Sequence, residues 1–477
     1  MNKKFYITAA IPYVNSSAHV GHALEFVQVD TIKRYHKFLG ENALSLSGGD
    51  ENALKNVQAA EEAGTPVQEF VDKNTELFRQ LAIKLNAEFD VWQKGSDKEH
   101  HYPSAQKLWK LCEKDIYKKK YEGLYCVGCE TFYSPDELNE KGECFEHPGK
   151  KLEKVSEENY FFKLSKYQDK LIKLVKTDEL KIIPETRKNE VLSFLSQPLQ
   201  DISISRTNER AKNWGVPVPD DPNQKIYVWF DALNIYQSGI GFGWDEEKYK
   251  KWWPADVHVI GKGIIRFHAV YWPAFLLSAK LPLPKTIFVH GYFTVNGQKM
   301  SKSLGNVIDP VELIKKYGAD ALRYYFLAKF SPFSDGDFSE EKFKEVYNAD
   351  LANGLGNLIS RSAKLLEIAN IDIDKLGLKN PKEFSPELAA PIEKYQIDKA
   401  LSYIWQSIST LDNYINKTEP WKKVRLHEIV LWTNIVKRIR EIAYNLKPFL
   451  PETAEKIEKQ FTSPVIKSEK PLFPRHG

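Results

Sequence analysis

The sequence predicts an α/β fold built on a parallel sheet, and two stretches near its start carry that expectation. Residues 5–24, FYITAAIPYVNSSAHVGHAL, read as a buried strand over 6–11, a break over 12–17 and a helix from Ala18, with apolar residues recurring at Leu24, Val27 and Ile32. That helix runs to about Phe38, Gly40 ends it, and residues 43–47 give a second short strand closing on Gly48-Gly49-Asp50-Glu51. Strand, helix, strand is a βαβ unit, in which ligands lie beyond the carboxyl ends of the strands. The loop bearing Asp50 should therefore meet the loop bearing His19.

The start of the first helix is a candidate anion site. Its unpaired N–H groups and dipole favour negative charge, His19 and His22 share one face, and Gly21 has no side chain to obstruct a ligand. Two imidazoles could donate to a triphosphate there, although a metal half-site or a surface pair of histidines reads as well from these residues alone. Asp50 could hold an ammonium group or serve as a turn residue.

Composition bounds the remainder. At 477 residues the chain suggests roughly three domains, and 42% apolar with 13% aromatic residues means folded rather than disordered protein. Its 68 basic and 64 acidic residues leave a net charge of +4, which permits an anionic partner without requiring one. No apolar run is long enough for a membrane span, and the first residues lead straight into a strand without a signal peptide, so the cytoplasm is expected. Of four cysteines, three crowd between positions 126 and 144, which suits a metal in a reducing compartment.

Helical patterns fill 54–86 and 102–118, with Cys112 reading as core beside Leu108 and Leu111. From 121 to 151 the texture turns short and turn-rich, carrying Cys126-x-x-Cys129 and then Cys144-x-x-His147. Four soft ligands in two knuckles make a closed tetrahedral zinc site, a structural staple for a segment with little core of its own. Helical segments continue to about residue 200, and strands are predicted at 225–228, 257–260 and 286–290. Trp229, Ala232, Tyr236 and His268 fall at strand ends and first helical turns. An aromatic wall around Ala232 could accept a narrow apolar side chain, or be ordinary core. Asn296-Gly297 signals a tight hairpin, and the following loop of small residues carries Lys299 and Lys302, which could close on a triphosphate. A long helix is predicted from Ser339 onward.

With HVGH at 19–22 and KMSKS at 299–303, the chain resembles the class I aminoacyl-tRNA synthetases. IPYVNSSAHVGH, YCVGCE with the later Cys144 and His147, NYFFKLSKYQ, DISISR, YVWFDAL, RFHAVYWPAFL and the closing LFPR make it similar, over nearly its whole length, to the methionyl-tRNA synthetase family. The resemblance implies a Rossmann-type catalytic domain in two halves, 1–117 and 223–337, a zinc-bearing connective insertion over 118–222, and a C-terminal α-helical anticodon-binding bundle over 338–477. It further implies attachment of methionine to tRNA(Met) through a methionyl-adenylate, with ATP as substrate, Mg2+ assisting and structural Zn2+. On this resemblance His19, Gly21, His22, Lys299 and Lys302 would bind ATP. Ile11, Tyr13, Asp50, Trp229, Ala232, Tyr236 and His268 would form the methionine site, with Asp50 taking the amino group. Cys126, Cys129, Cys144 and His147 would hold the metal. Asn357, Arg361 and Trp421 would read the CAU anticodon by hydrogen bonding and stacking.

Three positions depart from the family pattern. Asn52 and Ala53 stand where a His and a Gly are usual, and Gly263 stands where an Asp commonly follows Gly-Lys, leaving Arg206 without the expected acidic partner. The chain ends at Gly477 without the appended domain of some relatives, so a monomer is expected. The alternatives are a synthetase of the same class for another amino acid and an inactive RNA-binding paralogue. The first would carry a large editing insertion, and the second would lose the histidines or lysines that this chain keeps.

Overall fold

The structure, a computed structural model, describes residues 3–128, 131–133, 138–144, 149, 152–300, 306–422 and 428–476; the side chains of Thr131, Phe132 and Lys299 fall outside the description. It divides into two compact units: Met1–Ala18, Asn42–Ala82 and Glu88–His290 in the first, and His19–Glu41, Ile83–Ala87 and Gly291–Gly477 in the second.

The first unit is built on a six-stranded sheet, in the order Val91–Lys94, Asn42–Gly49, Lys4–Ala9, Val257–Gly261, Thr286–His290, Lys181–Ile183, with every neighbouring pair parallel. Strands covered on both faces read as continuous apolar runs, and Val257–Gly261 and Thr286–His290 are buried at every position. In Lys4–Ala9, Ile7 pairs with Ser45 on one side and Val257 on the other. Asn42–Gly49 and Val91–Lys94 lie on one side of this strand and the three later strands on the other, so its carboxyl end is the switch point at which such sheets place their ligands.

Four of these strands stand where the apolar runs put them. Val91–Lys94 and Lys181–Ile183 were not anticipated; four and three residues are too few for a period to show. The single helical pattern over 54–86 is two helices, Leu54–Glu62 and Val67–Lys84, parted where Gly64 takes a φ of 62° ahead of Pro66. The strand expected at 225–228 lies earlier, at Asp221–Ile226, pairing antiparallel with Ser205–Thr207; Val228 already opens the helix Val228–Ser238. The helix expected over 102–118 ends at Cys112, and Ile116–Cys126 forms an 11-residue strand antiparallel to Glu153–Phe162. The turn-rich segment thus hangs from a long regular hairpin, which the run Lys118-Lys119-Lys120 conceals from a hydrophobicity reading. Cys112 is buried, as expected, and burial lifts its thiol to about 12.

In the second unit the helix Val20–Phe38 packs against Ala319–Lys329. Between them lies an ion pair withdrawn from water: Arg323 Nη2 stands 2.7 Å from Asp30 Oδ2, with both side chains at or below 1% exposure. Arg323 also donates to the carbonyls of Leu85, Pro448 and Phe449, and Arg34 donates to the same Asp30 oxygen and to Asn86 O. Farther along, Ile397–Thr418 buries Ile397, Ala400, Leu401, Ile404, Ile408, Leu411 and Ile415, a stripe at 3–4 spacing, against Pro386–Glu393 and Ile429–Leu446. The helix expected from Ser339 is continuous through Glu340–Val346, a π-helical stretch Tyr347–Gly356 and Asn357–Ala369. The chain end returns onto that stretch: Phe473 packs on Tyr347, and Asn348 exchanges hydrogen bonds with the backbone of His476. Among the described residues no helix is long and apolar enough to cross a membrane.

Removing one partner of a buried ion pair strands the other charge. Arg323→Leu should therefore destabilise the protein by about 3–5 kcal/mol in urea unfolding, with Asp30→Leu costing a similar amount and the double variant less than the sum.

Candidate active site

His19 is the N-cap of Val20–Phe38, and its ring closes a capping box with His22. The Gly21 amide donates to His19 Nδ1 at 3.1 Å, and the His19 amide donates to His22 Nδ1 at 3.2 Å. Each Nδ1 is thus an acceptor, which places the proton of each neutral ring on Nε2. Burial holds His19 down at about 4, so this imidazole is a neutral donor at ordinary pH. The two rings lie 4.0 Å apart. A Cβ at Gly21 would fall 2.9 Å from His19 Cε1, so any side chain there would push the His19 ring out of this position. The same Cβ would be 3.8 Å from Met300 Cε, which sets the start of the lysine loop beside the histidines. That loop leaves a hairpin, Phe293–Val295 with Gln298–Lys299, whose turn residues Asn296 and Gly297 both have positive φ, 51° and 74°, as a type I′ turn requires. Lys302 lies outside the described residues, as does the side chain of Lys299.

Five of the seven residues expected around methionine, Tyr13, Asp50, Trp229, Tyr236 and His268, are linked by contacts in the first unit. Asp50 donates its amide to Pro12 O at 2.9 Å, and Tyr13 and Asp50 form a parallel bridge, so the two loops run side by side. Trp229, Ala232 and Tyr236 share one face of Val228–Ser238. Tyr13 meets Trp229 edge-on at 6.1 Å, and Trp229 meets His268 edge-on at 6.4 Å. The Tyr236 hydroxyl lies 2.8 Å from His268 Nε2, while His268 Nδ1 is 2.9 Å from Ile264 O. Nδ1–H therefore donates to the carbonyl, and Nε2 accepts from the tyrosine. Burial lowers His268 to about 4 and keeps it uncharged. Ile11 packs, partly buried, against the same apolar core.

Sequence reasoning left out Phe267, which stacks flat on Trp229 at 3.6 Å. Both Phe267 and His268 sit on a π-helical turn, Phe267–Tyr271, a geometry with no periodic trace in the sequence. His258 was also missed; its Nδ1 bonds the Thr8 hydroxyl at 2.7 Å, its ring lies 4.4 Å from that of Tyr236, and burial holds its pKa well below the ordinary value.

Of the departures from the family pattern, Asn52 has a local explanation. The Asn52 amide nitrogen donates to Gly95 O and to Asp231 Oδ2, both at 2.7 Å, using both of its hydrogens. Asp231 Oδ1 bonds His101 Nε2 at 2.5 Å, and His101 Nδ1 bonds the Ser238 hydroxyl at 2.8 Å. Ser238, His101 and Asp231 repeat the connectivity of a hydrolase triad, yet all three are at or below 1% exposure, so no substrate reaches the hydroxyl. They tie Val228–Ser238 to the helix His101–Cys112, and the Asn52–Asp231 bond ties it to the Asp50 loop. Arg206 lies over the ring faces of Tyr227 and Tyr125 at 4.4 and 5.2 Å, and it donates to the Ser203 hydroxyl and Ser205 O.

Of the expected metal ligands, Cys126 and Cys144 are described and buried, with their sulfurs 3.5 Å apart; Cys129 and His147 lie outside the described residues. The edge of a tetrahedron with metal–sulfur bonds of about 2.3 Å is about 3.8 Å, so the two thiols fit that metal. Among the described residues no group of three metal-ligating side chains occurs. In the second unit Arg361 lies 5.1 Å over the half-exposed ring of Trp421 and bonds Asn416 at 2.6 Å, with Asn357 exposed one helical turn before it.

The chain is of the class I tRNA synthetase type: the family model "tRNA synthetases class I (M)" matches residues 5–363, which include the whole of the parallel sheet apart from the start of its first strand. The methionine–tRNA ligase of Thermotoga maritima is 41% identical over 95% of this chain and 74% of its own length; that of Brucella suis biovar 1 is 37% identical over 99% and 98%. The solved structure of Mycobacterium tuberculosis methionyl-tRNA synthetase in complex with methionyl-adenylate is 36% identical, with a TM-score of 0.90 over 99% of this chain and 100% of that one. The chain belongs to the methionine–tRNA ligase family.

His268 sets a pH response. Between its unfolded value near 6.5 and its folded value of about 4, the unfolded chain binds a proton that the folded chain does not, so stability falls as pH drops through that window. His268→Gln should make the loss of unfolding free energy between about pH 7 and about pH 5 shallower than in the parent chain, read by urea titration at each pH.

Proposed function

We propose that the Tyr13 and Asp50 loops and the Trp229–Ala232–Tyr236 helix face hold methionine, with His268 at the pocket and Ile11 on its apolar side, and that His19 and His22 bind ATP with Lys299 and Lys302. As a member of its family the chain activates methionine with ATP and transfers it to tRNA. The observation that carries the site reading is the convergence of Tyr13, Asp50 and His268, which follow three neighbouring parallel strands, with Trp229 and Tyr236 on the helix Val228–Ser238.

In that pocket the Asp50 carboxylate takes the ammonium group, and the aromatic wall accepts the thioether side chain. A neutral His268 and Tyr236 offer that side chain a polar end without a charge. The methionine carboxylate then attacks the α-phosphate, pyrophosphate leaves, and methionyl-adenylate forms. A terminal ribose hydroxyl of tRNA next attacks the methionyl carbonyl and releases AMP. Negative charge growing on the phosphates meets Nε2–H donors already oriented by the capping box, so little reorganisation accompanies the reaction. Mg2+ would accompany the nucleotide.

We further read 118–222 as the connective insertion, with Cys126, Cys129, Cys144 and His147 holding a structural zinc that pins its turns. The region 338–477 is read as the anticodon-binding domain. There Asn357, Arg361 and Trp421 recognise CAU, and the contact of Arg361 with the Trp421 ring supports this reading by presenting a guanidinium and a stacking face together.

Amino-acid-dependent ATP–pyrophosphate exchange tests the pocket. Asp50→Asn should raise the methionine KM by about 100-fold with little change for ATP, and His22→Ala should lower kcat by about 100-fold. Equal effects of Asp50→Asn on both substrates would remove Asp50 from the amino-group role. Trp421→Ala should reduce tRNA charging by about 5- to 150-fold more than it reduces exchange, the range expected for one lost base stack.

A further inference from the structure

We propose that Lys55 is a positioning residue through which the cysteine knuckle sets the methionine pocket, an inference that rests on the pocket and zinc readings above. Lys55 is the second residue of Leu54–Glu62, which follows directly from the Asp50 loop. Its ammonium donates to Gly128 O at 3.2 Å and sits over the Tyr13 ring, 2.9 Å from the centroid. Gly128 lies in the turn between Cys126 and Cys129. Tyr13 in turn is bridged to Asp50 and meets Trp229, which stacks on Phe267 and abuts His268. One side chain thus touches the metal turn at its carbonyl and the pocket wall at its first aromatic ring.

The direction of the effect follows from the chemistry. A lysine ammonium keeps a fixed place only when its donors have fixed acceptors, and the Gly128 carbonyl is fixed when both flanking cysteines bind one ion. With that acceptor held, the cation stays on the face of Tyr13 and restrains the ring that meets Trp229. Loss of the metal frees the carbonyl, then the ammonium, then the ring. Lys55 approaches no reacting atom in this scheme, so the consequence is weaker methionine binding rather than slower chemistry.

Methionine affinity measured by calorimetry, alongside exchange kinetics and metal analysis of the full chain, tests the proposal. Lys55→Met keeps the length and loses the charge; it should weaken methionine binding by about tenfold, with kcat and the ATP KM within about twofold and zinc content unchanged. Lys55→Arg, which keeps a cation over the ring, should recover most of the affinity. Stripping zinc from the parent chain should weaken binding by about the same factor, and stripping it from Lys55→Met should add less than about twofold. Independent, multiplying losses would overturn the proposal, as would unchanged affinity in Lys55→Met. Trp229→Ala with parental methionine affinity would overturn the pocket reading itself. A purified chain without zinc would overturn the metal reading and this link with it.

Discussion

The Asp30–Arg323 pair is the contact on which the second unit depends. That unit is assembled from three separated pieces of chain, and the Arg323 guanidinium touches all of them: the Asp30 carboxylate on the first helix, the Leu85 carbonyl in the short middle piece, and the Pro448 and Phe449 carbonyls near the end. Withdrawing two charges from water is costly, so such a pair contributes less net stability than its short distance suggests. What it contributes is selection. A planar fork of donors aimed at one carboxylate and several carbonyls accepts one arrangement of those pieces, and any slip leaves a buried charge unmatched. The helix that carries Asp30 is the one His19 caps, so the same contact anchors the element bearing the proposed nucleotide site.

Neutrality is the second theme of the molecule. His19, His258 and His268 are all held below their ordinary pKa by burial, and backbone hydrogen bonds set the tautomers of His19 and His268. An imidazolium at the helix start would be repelled by the positive end of the helix dipole, whereas a neutral ring protonated on Nε2 keeps a donor there without that cost. Around the pocket a charged ring would favour a polar ligand, while neutral His268 beside Tyr236 suits an apolar chain with one polarisable atom. Burial therefore supplies both a donor for the proposed nucleotide site and the uncharged lining of the proposed methionine pocket.

Much of this was legible from local pattern. The strand at Lys4–Ala9 shows as an apolar run, and the hairpin at Asn296-Gly297 as the residue pair that tolerates positive φ. The candidate residues of the pocket were legible mainly through resemblance, since Trp229, Tyr236 and His268 read equally as core. The rest lacked a local signal. Three-residue strands have no period, the π-turn at Phe267–Tyr271 differs from a helix only in its hydrogen bonds, and the lysine run in Ile116–Cys126 hides a strand that faces solvent on one side.

By itself, then, the sequence determined the devices that act within a few residues: strand and helix faces, the I′ turn, the histidine capping pair, the spacing of the knuckle ligands and the family to which these motifs point. Only the tertiary structure decided which devices meet. Asn52 against Asp231, 179 residues away, Lys55 between Gly128 and Tyr13, and Val20–Phe38 joined to Ala319–Lys329 through Asp30 and Arg323 are pairings of this kind. The physical reason is one of range. Propensity, capping and periodicity are written into neighbouring residues, whereas a buried amide, ammonium or guanidinium looks like an exposed one until the fold brings its acceptor within hydrogen-bond distance.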